Sequence, residues 1–159
     1  MLAVGVAILL AAVLTWALWP SQVEPRARQY RDVTACLLTD RQGVTGTDAA
    51  PVWAGMQAAS ARTHGQVRFL EVTGDQTVDN ARAFVGTLLL GRCAVIVAAP
   101  GIADGAVRAV AAQYPAQQFL VVGGAATALR NVSRMPGSAA SDVTTQVSAA
   151  VGDRLAANS

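Results

Sequence analysis

The run Cys93-Ala-Val-Ile-Val-Ala-Ala99 contains no charged or hydroxyl side chain, and Pro100-Gly101 follows at once. A strand with one wet face alternates polar and apolar residues. This one does not, so both of its faces must be covered, as in the middle of a parallel sheet flanked by helices. The next residues support that reading. Ala103, Ala106, Val107, Val110, Ala111 and Tyr114 recur at the spacing of an apolar helical face, and Pro115 stops the pattern. The stretch is therefore one strand–loop–helix unit.

The same unit repeats along the chain. "VTACLLT" (33–39) predicts a first strand, followed by the glycine-bearing loop "DRQGVTGTDAAP" and a helix from about Pro51 to Thr63, capped by Asp48 or a neighbour. His64-Gly65 ends that helix. "VRFLEV" (67–72) predicts a second strand. A second helix over Thr77 to Leu90 places Val78, Ala81, Val85, Leu88 and Leu89 on one face, and Gly91 closes it. "QFLVVGG" (118–124) is a fourth strand. "ALRNVSRMPGSAA" (128–140) reads as loop with a short extended piece at 131–134, and a last helix covers 141–156.

Such alternation implies an α/β fold, a three-layer parallel sheet with helices on both faces. Right-handed crossovers favour the strand order 2-1-3-4. In sheets of this kind ligands bind beyond the carboxyl ends of the strands, where the order reverses. Here that point lies between the loops after strands one and three. It nominates Asp40, Arg41, Gly43, Thr45, Thr47 and Asp48 from the first loop, and Pro100, Gly101 and Ile102 from the second, with Gly124 at the end of strand four. Asp40 is either a hydrogen-bond acceptor for a ligand or a turn cap. Gly43 and Gly46 either offer backbone N–H groups to an anion or permit tight turns.

The chain has 159 residues, enough for one domain with a real core. The organisation expected is an apolar segment at 1–19, a linker at 20–31 and a single α/β lobe at 32–159. The segment "MLAVGVAILLAAVLTWALW" carries no charge and as a helix would span roughly 28 Å, close to a bilayer core. Trp16 and Trp19 stand where interfacial aromatics belong. A transmembrane anchor and an export signal are both open readings. Arg26, Arg28 and Arg31 just beyond the span favour a cytoplasmic domain by the positive-inside rule, unless basic residues also precede it. The localisation expected is the cell membrane with the domain on its extracytoplasmic side.

Cys36 and Cys93 are the two cysteines, and the order 2-1-3-4 places them on neighbouring strands. A bridge needs their Cα atoms within about 7 Å. The alternatives are that disulfide or two inert buried thiols. With no CxxC and one histidine, His64, a zinc site is not expected. All twelve basic residues are arginines, spread singly along the chain, and aromatics make up 5%. Neither feature suits a nucleic-acid binder. "GVTG" lacks the Gly-Lys-Ser/Thr of a phosphate loop. No nucleophile–base pair is evident, so an enzyme is not expected, and no cofactor is implied.

"ACLLTDRQGV", "VWAGMQAA" with Trp53-x-Gly55-Met56, "GDQTVDNARAFVGTLLLGRCAVIVAA" and "GIADGAVRAVAAQYPAQQF" together resemble the basic membrane protein family, from about Thr34 to Phe119. These are substrate-binding proteins of ABC transporters with the type I periplasmic binding fold, and several bind purine nucleosides. The family's members have two lobes that clamp the ligand, so the resemblance implies that this chain corresponds to one lobe. It differs in two places: "VTGTDAA" stands where the family's first loop carries an acidic and aromatic run, and Gly123-Gly124 where strand four ends in an acid. The resemblance implies a non-enzymatic, membrane-tethered module for a small polar solute such as a nucleoside, with a transporter permease as a partner. The alternative is a protein-interaction domain that has lost solute binding, forming a homodimer across the open sheet edge.

Overall fold

The structure is a computed structural model, and it describes residues 30–124, 128–137 and 139–158. The apolar segment 1–19 and nearly all of the linker lie outside the described residues. Among the described residues no helix is long and apolar enough to cross a membrane.

Five parallel strands form one sheet: β1 (Thr34–Thr39), β2 (Gln66–Glu71), β3 (Val95–Ala98), β4 (Gln118–Val122) and β5 (Val132–Met135), in the order 2-1-3-4-5. The helices are α1 (Ala49–Thr63), α2 (Val78–Leu90), α3 (Ile102–Val110) and α4 (Ala140–Ala157), with 3-10 turns at Gly43–Thr45 and Ala111–Gln113. The expected order of the first four strands is present. The short extended piece expected at 131–134 is a fifth strand, set one residue later, beside β4, with Val121 opposite Arg134 and Val122 opposite Met135. The helix expected to reach Tyr114 ends in α-form at Val110, and a 3-10 turn carries it to Gln113.

Local sequence sets the element ends. The Thr77 side chain accepts the N–H of Asn80 and so caps α2. Asp48 precedes α1 without making such a bond. His64 closes α1 in the left-handed conformation at φ 58°, its N–H donating to the Ser60 carbonyl. β3 is buried along its whole length, as its unbroken apolar run requires. β2 is an edge strand and is largely exposed.

The sheet carries two cores. On one face α1 and α4 cover Ala35, Leu37, Val95, Val97, Leu120 and Val122. On the other, α2 and α3 cover Cys36, Leu38, Ile96, Ala98, Phe119 and Val121. Each large aliphatic side chain buried in this way contributes about 1.5–3 kcal/mol. Cys36 and Cys93 are joined by a disulfide in the second core, with Cα atoms 5.8 Å apart. The Arg68 guanidinium lies over the bridge. Its Nε is 3.1 Å from the Cys36 sulfur, and its Nη2 donates to the Gly91 carbonyl at 2.8 Å. At the entrance to β5, buried Asn131 donates through Nδ2 to the carbonyls of Ala111, Tyr114 and Gln117. One amide thus fixes the turn before β4 to the start of β5.

Candidate functional site

All five strands point the same way, so their outgoing loops share one rim. β1 leaves through Thr39, whose hydroxyl is buried and donates to the Asp40 carbonyl. Asp40 then closes a turn: its Oδ1 accepts the Gln42 N–H at 2.9 Å, and its carbonyl accepts the Gly43 N–H at 3.1 Å. Gly43 takes φ +60°, and a Cβ there would stand 3.0 Å from Glu71 Oε2 at the end of β2. The turn therefore uses glycine both for its backbone and for the close approach of a neighbouring strand. The Gln76 side chain joins the same two loops, accepting from the Arg41 N–H and donating to the Val72 carbonyl.

Between this turn, the start of α1 and the end of β3 lies a recess of about 260 Å³. Asp40, Gln42, Thr47 and Asp48 supply its polar groups; Gly46, Ala49, Ala99 and Pro100 supply the rest of the wall. The loops after β1 and β3 thus meet at the switch point of the sheet. Four of the residues nominated from sequence line the recess: Asp40, Thr47, Asp48 and Pro100.

The others sit elsewhere on the rim. Arg41 contributes its N–H to the Gln76 clamp. The Thr45 hydroxyl donates to the Gln42 carbonyl within its own turn. Gly101 precedes α3 at φ 96°, and Ile102 packs against the α2–α3 core. Gly124 stands at the far end of β4, where its carbonyl accepts Arg134 Nε at 2.8 Å. The anion reading of the glycine loop is corrected. The Gly43 N–H is spent on Asp40, the Gly46 N–H on Gly43, and the Ala49 and Ala50 N–H groups both reach the Gly46 carbonyl.

Sequence reasoning missed Gln42, Ala49 and Ala99, which flank or lie near nominated positions, and a charged pair beside Gly124. Asp104 in the first turn of α3 is buried and pairs with Arg108 Nε at 2.6 Å. Arg108 Nη2 is buried without a hydrogen-bond partner. A Cβ on Gly124 would strike both side chains, so the missing side chain at the end of β4 makes room for this pair. The signal was present as an Asp and an Arg four residues apart on one helix. Among the described residues no group of three or more His, Cys, Asp or Glu could hold a metal ion.

The rim can offer hydrogen-bond acceptors. Two carboxylates, an amide and a hydroxyl surround the recess, with no basic side chain in its wall. That chemistry suits a solute rich in hydroxyl or amino donors rather than an anion.

No protein-family model and no curated protein matches the chain. Solved structures do share its fold. A fragment of a candidate lipoprotein from Peptoclostridium difficile 630 superposes with a TM-score of 0.61 at 13% identity, covering 77% of this chain and 98% of that one. The ABC transporter system solute-binding protein from Aeropyrum pernix K1 superposes with a TM-score of 0.52 at 20% identity. There the match covers 64% of this chain and 28% of the other, so this chain spans a part of that protein. The likeness to both is one of fold, a parallel sheet with helices on both faces.

Proposed function

We propose that the chain is a non-enzymatic, membrane-tethered module of the solute-binding type, of the basic membrane protein kind, that holds a small polar solute at the carboxyl rim of its sheet. The observation that carries this is the acceptor-rich recess at the switch point, where open α/β sheets bind ligands. Asp40 and Asp48 accept from the solute's hydroxyl or amino groups, and Pro100 closes the apolar side. A nucleoside, through its ribose hydroxyls, is the first solute to try. The apolar segment 1–19 supplies the tether. The Cys36–Cys93 disulfide suits an oxidising, extracytoplasmic location.

A thermal-shift screen of nucleosides, sugars and amino acids tests this, because a ligand that binds only the native state raises its apparent stability. A ligand at a hundred times its Kd adds about 2.7 kcal/mol. Asp40→Ala removes that shift. A shift that survives the substitution places the ligand elsewhere.

One observation favours a second reading. The recess, at about 260 Å³, is smaller than the roughly 300–1,000 Å³ usual for ligand pockets, and only this lobe lines it. A second copy facing the same rim would complete it, making the module a homodimer. Sedimentation that shows a strict monomer at high concentration, with and without solute, removes this reading.

A further inference from the structure

The opposite rim of the sheet differs in both charge and shape. Tyr30 and Arg31 enter β1 there, with the Arg31 N–H bonded to the His64 carbonyl at the start of β2. Helix ends and strand starts at this amino rim carry Arg31, Arg62, Arg68, Arg92, Arg130 and Arg154, against Asp32 and Asp153. The carboxyl rim is the reverse. Asp40, Asp48, Glu71, Asp75, Asp79, Asp104 and Asp142 outnumber Arg41, Arg82, Arg108 and Arg134, and two of those arginines are paired with Asp79 and Asp104. A modest net charge of +2 thus conceals a strongly polarised domain.

The amino rim is also where large apolar groups are bare. A groove of about 890 Å³ opens between the second half of α2 and the segment Gln113–Gln117. Leu90, at its lip, is 87% exposed, and Tyr114 42%. Tyr30, half exposed, stands at the same rim where the chain arrives from residues 1–29.

We propose that this amino rim docks on an anionic bilayer surface, with Leu90 and Tyr114 entering the headgroup region and the exposed Arg92 and Arg130 meeting lipid phosphates. The proposal rests on the membrane-tethered reading. Residues 20–29 separate the apolar segment from Tyr30 and can reach at most about 35 Å when fully extended. A domain of this size is itself about 30–40 Å across. A tether that short, joined at the amino rim, keeps that rim near the bilayer. Arginines around a few apolar side chains are the composition that binds such a surface. The acidic carboxyl rim is then turned toward the aqueous side, leaving its recess open to solute.

Hydroxyl-radical footprinting of the full chain tests this, in nanodiscs of phosphatidylglycerol and, separately, of phosphatidylcholine. Modification of Leu90 and Tyr114 falls by about threefold or more in the anionic discs, while Phe69, exposed on the edge strand, stays constant. The protection disappears in about 1 M salt, where the screening length is about 3 Å. It also disappears in the Arg92→Glu/Arg130→Glu variant, whose unchanged Phe69 labelling shows that the fold is kept. Equal labelling in both lipids overturns the docking while leaving the tether intact. Protection that follows the number of chains per disc rather than the lipid assigns the groove to a second copy and overturns the lipid assignment. A chain that alkaline carbonate strips from vesicles removes the tether itself, and the docking with it.

Discussion

The two helix layers of this domain solve the same packing problem in different ways. α1 and α4 lie against each other along much of their length, because Gly55 puts no side chain between them. A Cβ there would come within 2.6 Å of the Thr144 carbonyl oxygen and 2.9 Å of Val147 Cβ. Thr144 donates to the Pro51 carbonyl, and Arg62 reaches across to Ser148, so the contact is also tied by hydrogen bonds. α2 and α3 meet closely at one end, where a Cβ on Gly105 would strike Val78. Toward the amino rim they leave the groove below Leu90. The layer that leaves a gap is the layer that holds the disulfide. Close packing secures one face of the sheet; a covalent bond helps to secure the other, and that frees its outer surface for other work.

Removing the bridge should have the largest effect. Cys36→Ala/Cys93→Ala opens a loop with a sequence separation of 57, which in the chain-entropy model lowers stability by about 4 kcal/mol. Urea unfolding measures the loss. Hydrogen exchange should rise more in α2 and α3 than in α1 and α4, and a uniform rise would erase the distinction between the layers.

Glycine substitutions sharpen the contrast further, because one residue type should respond with opposite signs in the two layers. Gly55→Ala forces α1 away from α4 and costs about 3 kcal/mol by overpacking, read as a fall in the urea midpoint. Gly86→Ala has nothing within 4 Å of its new methyl, in the interior of α2. It should stabilise the domain by about 0.5–1 kcal/mol through helix propensity alone, raising Tm by a few degrees. A loss at Gly86 would mean that the groove is filled in solution.

How much of this was legible in the sequence depended on how many faces of each element are buried. β3 was plain, because a strand covered on both sides has no polar position to confuse the pattern. α2 was plain because Thr77 and Gly91 mark its ends and its apolar residues keep helical spacing. β5 showed only as a short extended piece within a loop because it buries Val132 in one core and Met135 in the other, with Ser133 and Arg134 between them. Four residues with that pattern show no period of two. The position of the switch point followed from strand order alone. Which side chains face it did not: Gly101 and Gly124 belong to the same rim as Asp40, but the recess is set by how the segment Gly46–Ala49 stands against Ala99 and Pro100. The Asp104–Arg108 pair became meaningful only once Gly124 was seen to leave room for it.

The bridge between Cys36 and Cys93 also governs how the domain would bear a pull. Tension arriving through Tyr30 would enter β1 at Thr34 and load the hydrogen bonds to both neighbouring strands in shear. Two residues further in, it meets Cys36, and the covalent link passes it to β3, the most deeply embedded strand. Only the first rungs of the ladder are left to yield, so an anchored copy should withstand dragging forces that would strip an unbridged one strand by strand.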